Sequence, residues 1–135
     1  MAVAVGKAIY YRLANDATVA AKFGTRISPA DRETFPNEQF EFNAIIFSRV
    51  AGEAEMSFDL TEQVNSEVWQ IDVYSVLYAD AQDYGLIVKD LFHGFQGAID
   101  GQTLELVLFD GVNDSVQVEH NLHRVSLSFR FYFNN

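Results

Sequence analysis

The sequence predicts a single α+β domain over residues 1–135, with two main helices on one face of a largely antiparallel or mixed sheet of about five strands. Three observations predict this fold class. Apolar residues recur at helical spacing over residues 5–13 and again over 84–95. Apolar and polar residues alternate along 125–133, the period of a strand with one buried face. The chain carries no internal repeat or low-complexity tract, so nothing divides it further.

The amino-terminal segment predicts an amphipathic helix. Its apolar side consists of Val5, Ala8, Ile9 and Leu13. These residues lie three or four positions apart, as the positions on one helix face do. The same spacing directs Lys7 and Arg12 toward water.

A second, shorter helix is predicted next. Asn15 or Asp16 can cap its amino terminus, because their side chains accept hydrogen bonds from the first free amides. Val19 and Phe23 share its apolar side. Gly24 provides the left-handed residue that often ends a helix.

Residues 44–50 and 64–75 predict two strands. The first is a compact apolar and β-branched run, and the second alternates around Trp69. A brief extended segment at 26–28 precedes them. The acidic stretch 29–43, which contains both prolines of the chain, predicts a loop.

Residues 53–63 predict an extended hairpin arm between these two strands. The segment is too long for a tight turn, and its apolar residues Met56, Phe58 and Leu60 alternate with polar ones. An arm with one apolar side is covered either by another molecule or by its own sheet. The sequence leaves both alternatives open.

The principal helix is predicted to begin at Asp80, with Asp83 in its first turn. Its apolar positions are Tyr84, Ile87, Val88, Leu91 and Phe95. Residues with helical spacing continue until Gly94 and Gly97 interrupt the pattern.

Two strands are predicted after the principal helix. Residues 102–109 place Leu104, Leu106 and Leu108 on one face, and the Asp110-Gly111 pair (residues 110–111) predicts a turn before the next extended run. The final strand should bury Phe129, which together with Trp69 is predicted to lie in the core.

Composition excludes several classes of function. The formal charge of −10 has the wrong sign for tight binding to a phosphate backbone. Without cysteine there is no disulfide framework, thiolate nucleophile or thiolate metal site. We expect neither a signal peptide nor a membrane span, because charged residues interrupt every apolar run.

Charge and aromatic content instead indicate association with other proteins. Residues 1–30 carry a net charge of +3, whereas residues 31–101 carry −11. This asymmetry suits a positive end of one subunit that meets a negative flank of the next, although solvated loops would also produce it. The 12 Phe, 6 Tyr and 1 Trp are many for a small domain, so some apolar area is expected to belong to a partner.

No chemical site is predicted. His120 and His123 lie three positions apart in a strand, which directs them to opposite faces, and His93 is remote in sequence. Glu53 and Glu55 would share a face of an extended arm, but without a cleft they form an acidic surface. Nucleophile elbows, phosphate loops and zinc motifs are absent from the sequence. We expect no catalytic residue, cofactor or metal, and we interpret the chain as a protein that is not an enzyme.

Several segments, taken together and in order, resemble one protein family. They read VGKAIYYRL at 5–13, FGTRISP at 23–29, IIFSRVAGE at 45–53, VWQIDVYS at 68–75, YADA at 78–81 and RVSLSFRF at 124–131. Each segment alone is ordinary, but their order and spacing resemble the tail completion (tail terminator, or head-tail joining) proteins of long-tailed bacteriophages. Phage-derived gene transfer agents carry similar proteins.

This resemblance implies a structural virion protein at the head-tail interface, made in the host bacterial cytoplasm. Such a protein forms a ring, by analogy a hexamer, on the head-proximal end of the tail tube. It ends tail assembly and joins the tail to the head connector. Its partners would be its own copies, the major tail tube protein, the connector protein and DNA that passes without tight binding.

Two sets of residues are predicted to serve these contacts. The candidates for subunit or tube interfaces are Met56, Phe58, Leu60, Arg12 and Lys22. The candidates for an acidic lumen are Glu53, Glu55, Asp59 and Glu62. An acidic lumen would repel phosphates and keep the genome from adhering.

Three other interpretations remain at this point. A head-tail stopper or adaptor ring nearer the portal fits the same residues. A small α+β ligand-binding domain or enzyme would require a pocket lined by converging polar groups. The third is an oligomeric scaffold unrelated to viruses.

Overall fold

The fold consists of three helices and seven strands in the part of the chain that the computed structural model describes, residues 4–24, 26–29, 43–56, 63–117 and 122–134. In chain order they are α1 (Val5–Ala14), α2 (Ala17–Phe23), β1 (Ile27–Pro29), β2 (Ala44–Met56), β3 (Gln63–Ser75), α3 (Tyr78–Phe92), β4 (Gly97–Ile99), β5 (Gln102–Leu104), β6 (Leu106–Gln117) and β7 (Leu122–Asn134).

The main sheet has five strands in the order β1-β2-β3-β7-β6. β1 pairs with β2 in parallel, and the other three pairs are antiparallel. α1 packs on β1 and β2, while α3 packs on β7, β3 and β6. The predicted fold class, α+β with a mixed and mostly antiparallel sheet of five strands, is confirmed.

The main core lies between the helices and one side of this sheet, which we call the helix face. β7 shows why: Val125, Leu127, Phe129, Phe131 and Phe133 are each at most 4% exposed on this face. The alternation along β7 therefore identified its buried side correctly. Phe129 is in the core as predicted. Trp69 is only partly buried and lies at the core margin.

The two amino-terminal helices form as their patterns indicated. The four apolar positions of α1, from Val5 to Leu13, are buried. Asp16 caps α2, because its carboxylate accepts a 3.0 Å hydrogen bond from the backbone N–H of Val19. Gly24 follows α2 with a φ of 58°, the left-handed conformation that glycine adopts without strain.

α3 begins at Tyr78, two residues before its predicted start at Asp80. Asp80 lies in the first turn instead. An aspartate is favoured both at the cap and in the first turn, so its presence does not fix the first helical residue. The buried stripe is also narrower than predicted: Ala81, Gly85, Val88 and Phe92 are buried, while Tyr84, Ile87 and Leu91 flank them. A Cβ on Gly85 would lie 3.0 Å from Val125 Cγ1, so a small residue here lets α3 approach β7 closely.

The prediction of a turn at residues 110–111 is also wrong. β6 runs through this pair, and the pairing with β7 shifts register between Phe109 and Gly111, so Asp110 is a bulge. The hairpin turn lies earlier, where Asp100 (φ 49°) and Gly101 (φ 77°) join β4 to β5. As a result Leu104 belongs to the small β4-β5 sheet, and it does not share a face with Leu106 and Leu108.

The β2-β3 hairpin is longer than the two predicted strands. β2 continues to Met56 and remains paired with β3 as far as Gln63. Part of the predicted arm is therefore sheet. The pairing with β3 shifts register between Arg49 and Ala51, so Val50 is a bulge in β2.

The face of the sheet opposite the helices has a small buried cluster of its own. Ala44, Ile46, Tyr74 and Leu122 form it near the start of β2. This face is therefore not uniformly exposed to solvent.

Candidate interface surfaces

A mostly apolar groove of about 430 Å³ lies between α1 and the helix face of the sheet, and we call it the α1 groove. It is lined by Gly6, Lys7, Tyr10, Tyr11, Pro29, Phe47, Trp69 and Asp100. Tyr10 is 47% exposed and Tyr11 44%, so their rings offer apolar area to solvent. Surface of this kind, with few polar groups, is typical of a contact site.

The Trp69 indole forms one edge of the α1 groove. A Cβ on Gly6 would lie 2.9 Å from Trp69 Cη2, so only glycine lets the indole lie against α1. The indole N–H donates a 2.8 Å hydrogen bond to the Glu67 carboxylate. The other Glu67 oxygen lies 3.6 Å from the guanidinium of Arg49 on β2. These contacts hold the indole in one orientation at the edge of the groove.

Sequence reasoning missed this groove. Its residues come from α1, β1, β2, β3 and the β4-β5 turn, so no single segment indicates it. One signal was present: Tyr10 and Tyr11 follow Ile9 in a helix whose apolar face is already complete without them.

Arg12, a predicted interface residue, is bound within the subunit. Its Nε donates a 2.7 Å hydrogen bond to the carbonyl of Leu91, and its guanidinium lies 4.2 Å from the centre of the Phe95 ring. Burial lowers the pKa of Arg12 from its usual value, while the charge of Asp16 opposes that shift. The expectation that Arg12 points freely into water is therefore wrong. Its long side chain reaches across to the carboxyl end of α3.

Lys22, the other basic interface candidate, lies exposed in the last turn of α2. Its backbone carbonyl accepts a 3.2 Å hydrogen bond from the Asn43 side chain, which ties α2 to the start of β2.

Charge divides between the two edges of the sheet. The β1 edge, with α1 and α2, carries Lys7, Arg12, Lys22 and Arg26 against Asp16, and Asp100 of the β4-β5 turn lies beside α1. The β6 edge, with α3, carries Asp80, Asp83, Asp90, Asp110 and Asp114 against Lys89. Gln82 of α3 donates a 2.8 Å hydrogen bond to Asp114 of β6, so these two elements share one acidic surface. The charge asymmetry of the sequence thus becomes a basic edge and an acidic edge.

β6 is an edge strand with exposed apolar side chains. Within the described part of the chain, β7 is its one neighbour in the sheet. Val112 is 59% exposed and Val116 is 53% exposed. Val107 and Phe109 of this edge bond to residues 93–95, so the stretch beyond the bulge, from 111 to 117, is the part that can serve as a template for pairing with another chain.

The predicted arm is described in part. Met56 is the last residue of β2, and the register places Glu53 and Glu55 opposite Ser66 and Val64. Phe58, Asp59, Leu60 and Glu62 lie outside the described residues. The two predicted acidic positions in β2 are thus part of its backbone pairing with β3.

The histidines that the structure describes have local contacts. His93 Nδ1 accepts a 3.0 Å hydrogen bond from the backbone N–H of Phe109, and His123 packs edge-on against Tyr78. His120 lies outside the described residues. Over the described ranges, no three histidine or carboxylate side chains are grouped so that they could hold a metal ion. Among the helices described, none is long and apolar enough to cross a bilayer.

Comparisons with known proteins find the fold but not a sequence family. No family model and no curated protein sequence matches this chain. A chain in the solved virion of a native gene transfer agent (GTA) particle matches with a TM-score of 0.72 and 20% sequence identity. The match covers 98% of this chain and 96% of that chain. This protein therefore has the same fold, over nearly its whole length, as a chain of a GTA virion.

Proposed function

We propose that this chain is a structural protein of a phage-like virion. The observation that carries the proposal is the shared fold with a chain of a GTA virion, which extends over 98% of this sequence. The sequence resemblance to tail completion proteins, which was found from separate segments, points to the same class of particle.

Within that class, the proposed role is that of a tail terminator. Copies of the chain form a ring, by analogy a hexamer, at the head-proximal end of the tail tube, where they end tail assembly and dock to the head connector. The protein is made in the bacterial cytoplasm and becomes part of the virion. Its function is mechanical joining without bond-making chemistry.

Two features of the subunit support closure into a ring. A ring needs two different complementary surfaces on each copy. The basic β1 edge and the acidic β6 edge lie at opposite ends of the strand order, so a head-to-tail neighbour brings opposite charges together. The exposed Val112 and Val116 add apolar area at the β6 edge.

The surface that lines the lumen is proposed to be acidic. Its candidates are Glu53 and Glu55, in a segment, 53–62, that carries four acidic residues and no basic one. Negative charge along the channel would let DNA pass without adhesion. A ring whose inner wall is basic or neutral would overturn this part of the proposal.

Electron microscopy of the purified protein tests the ring directly. We expect negatively stained rings with an open centre, and native mass spectrometry should give their subunit number. Mixed with tail tubes, the rings should cap one end of each tube. Rings that bind the portal side of the connector but not tubes would indicate a stopper or adaptor. A compact monomer that never binds a tube would contradict the proposal as a whole.

A further inference from the structure

We propose that the α1 groove of one subunit holds the hairpin tip, residues 57–62, of a neighbouring copy. This contact rests on the ring proposed above and adds to it a specific donor and acceptor.

The geometry excludes the chain's own groove as the acceptor. β2 and β3 stay paired to Met56 and Gln63, so the tip leaves from the end of the sheet. Trp69, in the groove, is six residues back along β3, which is about 20 Å at the rise of a strand. The six residues that join Met56 to Gln63 can reach at most about 10 Å from these two ends, because the chain must go out and return. The tip therefore cannot return to its own groove.

The chemistry of the tip suits the groove. Phe58 and Leu60 supply apolar side chains that need cover. Tyr10, Phe47 and Trp69 supply an apolar wall. Aromatic rings that meet in a water-excluding groove are typical of the residues that dominate binding energy at interfaces.

Charge supports the same pairing at longer range. The arm from 53 to 62 contains four acidic residues and no basic one, whereas residues 1–30, which supply the α1 side of the groove, carry a net charge of +3. At the groove itself, Lys7 and Asp100 contribute one charge of each sign. We therefore assign most of the affinity to apolar contact, and assign to electrostatics the choice of partner and the rate of association.

Residues 30–42 of the same chain are the competing occupant, because they follow Pro29 at the groove. Crossovers between parallel strands are right-handed in nearly all proteins. β3 and β6 are parallel, and α3 joins them on the helix face. The step from β1 to β2 crosses the sheet in the same direction as the step from β3 to β6. However, β1 and β2 run opposite to β3 and β6. By the same rule, a connection from β1 to β2 is expected on the opposite face, and this expectation favours the tip of a neighbour.

Disulfide trapping tests the contact, since the chain has no cysteine of its own. One preparation carries Tyr10→Cys in the groove, and a second, distinguishable by mass, carries Ser57→Cys in the tip. The two are mixed, allowed to assemble and oxidised. We expect a covalent dimer with one chain of each kind. Leu86→Cys on the exposed side of α3 replaces Tyr10→Cys as the matched control and should give less than about a tenth as much dimer, because its sulfur lies outside bonding range.

A second variant tests the energy of the contact. Phe58→Asp should weaken ring assembly about 30-fold or more, as the loss of a central aromatic does, while the far-UV circular dichroism stays native. Phe58→Leu, which keeps the apolar side chain, should assemble nearly as well as the natural chain. Rings that are unchanged by Phe58→Asp would overturn the contact.

The experiments give different results if the groove contact is wrong and if the ring itself is wrong. Rings that form without a disulfide between the Tyr10→Cys and Ser57→Cys chains overturn the groove contact and leave the ring proposal standing. A disulfide within one chain that carries Tyr10→Cys and Thr34→Cys shows that residues 30–42 fill the groove, and this also overturns the contact. A natural chain that gives neither rings nor intermolecular disulfide overturns both proposals.

Discussion

Gly6 and Trp69 lie in direct contact: a Cβ on Gly6 would approach Cη2 of the indole to 2.9 Å. This contact sets the distance between α1 and β3. It also shapes the α1 groove, because the indole that lies on Gly6 forms the groove's edge. A glycine inside a helix costs stability relative to alanine, so its presence here marks a place where the closeness of packing matters more than helix propensity.

Gly6→Ala should destabilise the protein by about 1–3 kcal/mol, because the gain in helix propensity is smaller than the strain of displacing the indole. Urea denaturation followed by circular dichroism measures the change. In a double-mutant cycle, Gly6→Ala should cost less unfolding free energy in a Trp69→Leu background than in the natural chain, since leucine leaves room for the alanine methyl group. An additive cycle would show that the two residues do not interact energetically.

Phe129→Ala should cost about 3–5 kcal/mol of unfolding free energy, the range for deletion of a fully buried aromatic ring. Phe129 has 0% exposure and packs against Phe92, Phe109 and Phe131. Trp69→Ala should cost less, because Trp69 is only partly buried. Chemical denaturation of both variants gives the comparison, and an equal cost would contradict the ranking.

Arg12→Lys should destabilise the protein by about 1–2 kcal/mol although the charge is kept, because lysine cannot reproduce the planar contact with Phe95 together with the bond to the Leu91 carbonyl. Lys7→Arg, on the exposed side of the same helix, is the control and should be near neutral. The melting temperatures of the Arg12→Lys and Lys7→Arg variants test this prediction. If both variants melt alike, Arg12 has no anchoring role.

Tyr74 should make the stability fall at high pH. Burial, and next the nearby charge of Asp72, raise the pKa of Tyr74 above its usual value, and the hydrogen bond and charge of Arg124 oppose this. The folded protein therefore keeps a proton that the unfolded chain loses, so its stability declines as the pH rises above about 10. Tyr74→Phe should remove that part of the decline. Urea midpoints of both proteins between about pH 8 and 11 measure the difference, which a normal pKa would leave constant.

The β6 edge should be needed for assembly but not for folding. Val112→Lys with Val116→Lys puts two charges on an exposed edge, a common way in which proteins prevent strand pairing. We expect an unchanged melting temperature within a few degrees and a loss of ring mass in native mass spectrometry. Substitution of the same two positions by Thr, which keeps strand propensity, serves as control. Normal rings from the lysine variant would exclude this edge as an interface.

The sequence predicted those parts of the fold in which one periodicity dominates. α1 and β7 each have one continuous buried face, so the positions from Val5 to Leu13 and from Val125 to Phe133 could be identified from spacing alone. The fold class followed from the order of such segments.

The incorrect predictions concern residue types that are common in two different local structures. The Asp-Gly pair at 110–111 is typical of both turns and bulges, and only the pairing with β7 distinguishes them. Asp80 is favoured at two neighbouring helix positions. The α1 groove could not be predicted at all, because it depends on a contact between Gly6 and a residue 63 positions away in sequence.

The position of Trp69 also gives the protein a natural optical probe. It is the single tryptophan of the chain, and its indole lines the α1 groove, where solvent reaches it. Any molecule that occupies the groove would remove water from the indole and shift its fluorescence emission to shorter wavelength. Occupancy could thus be followed in real time, without a dye, as subunits meet.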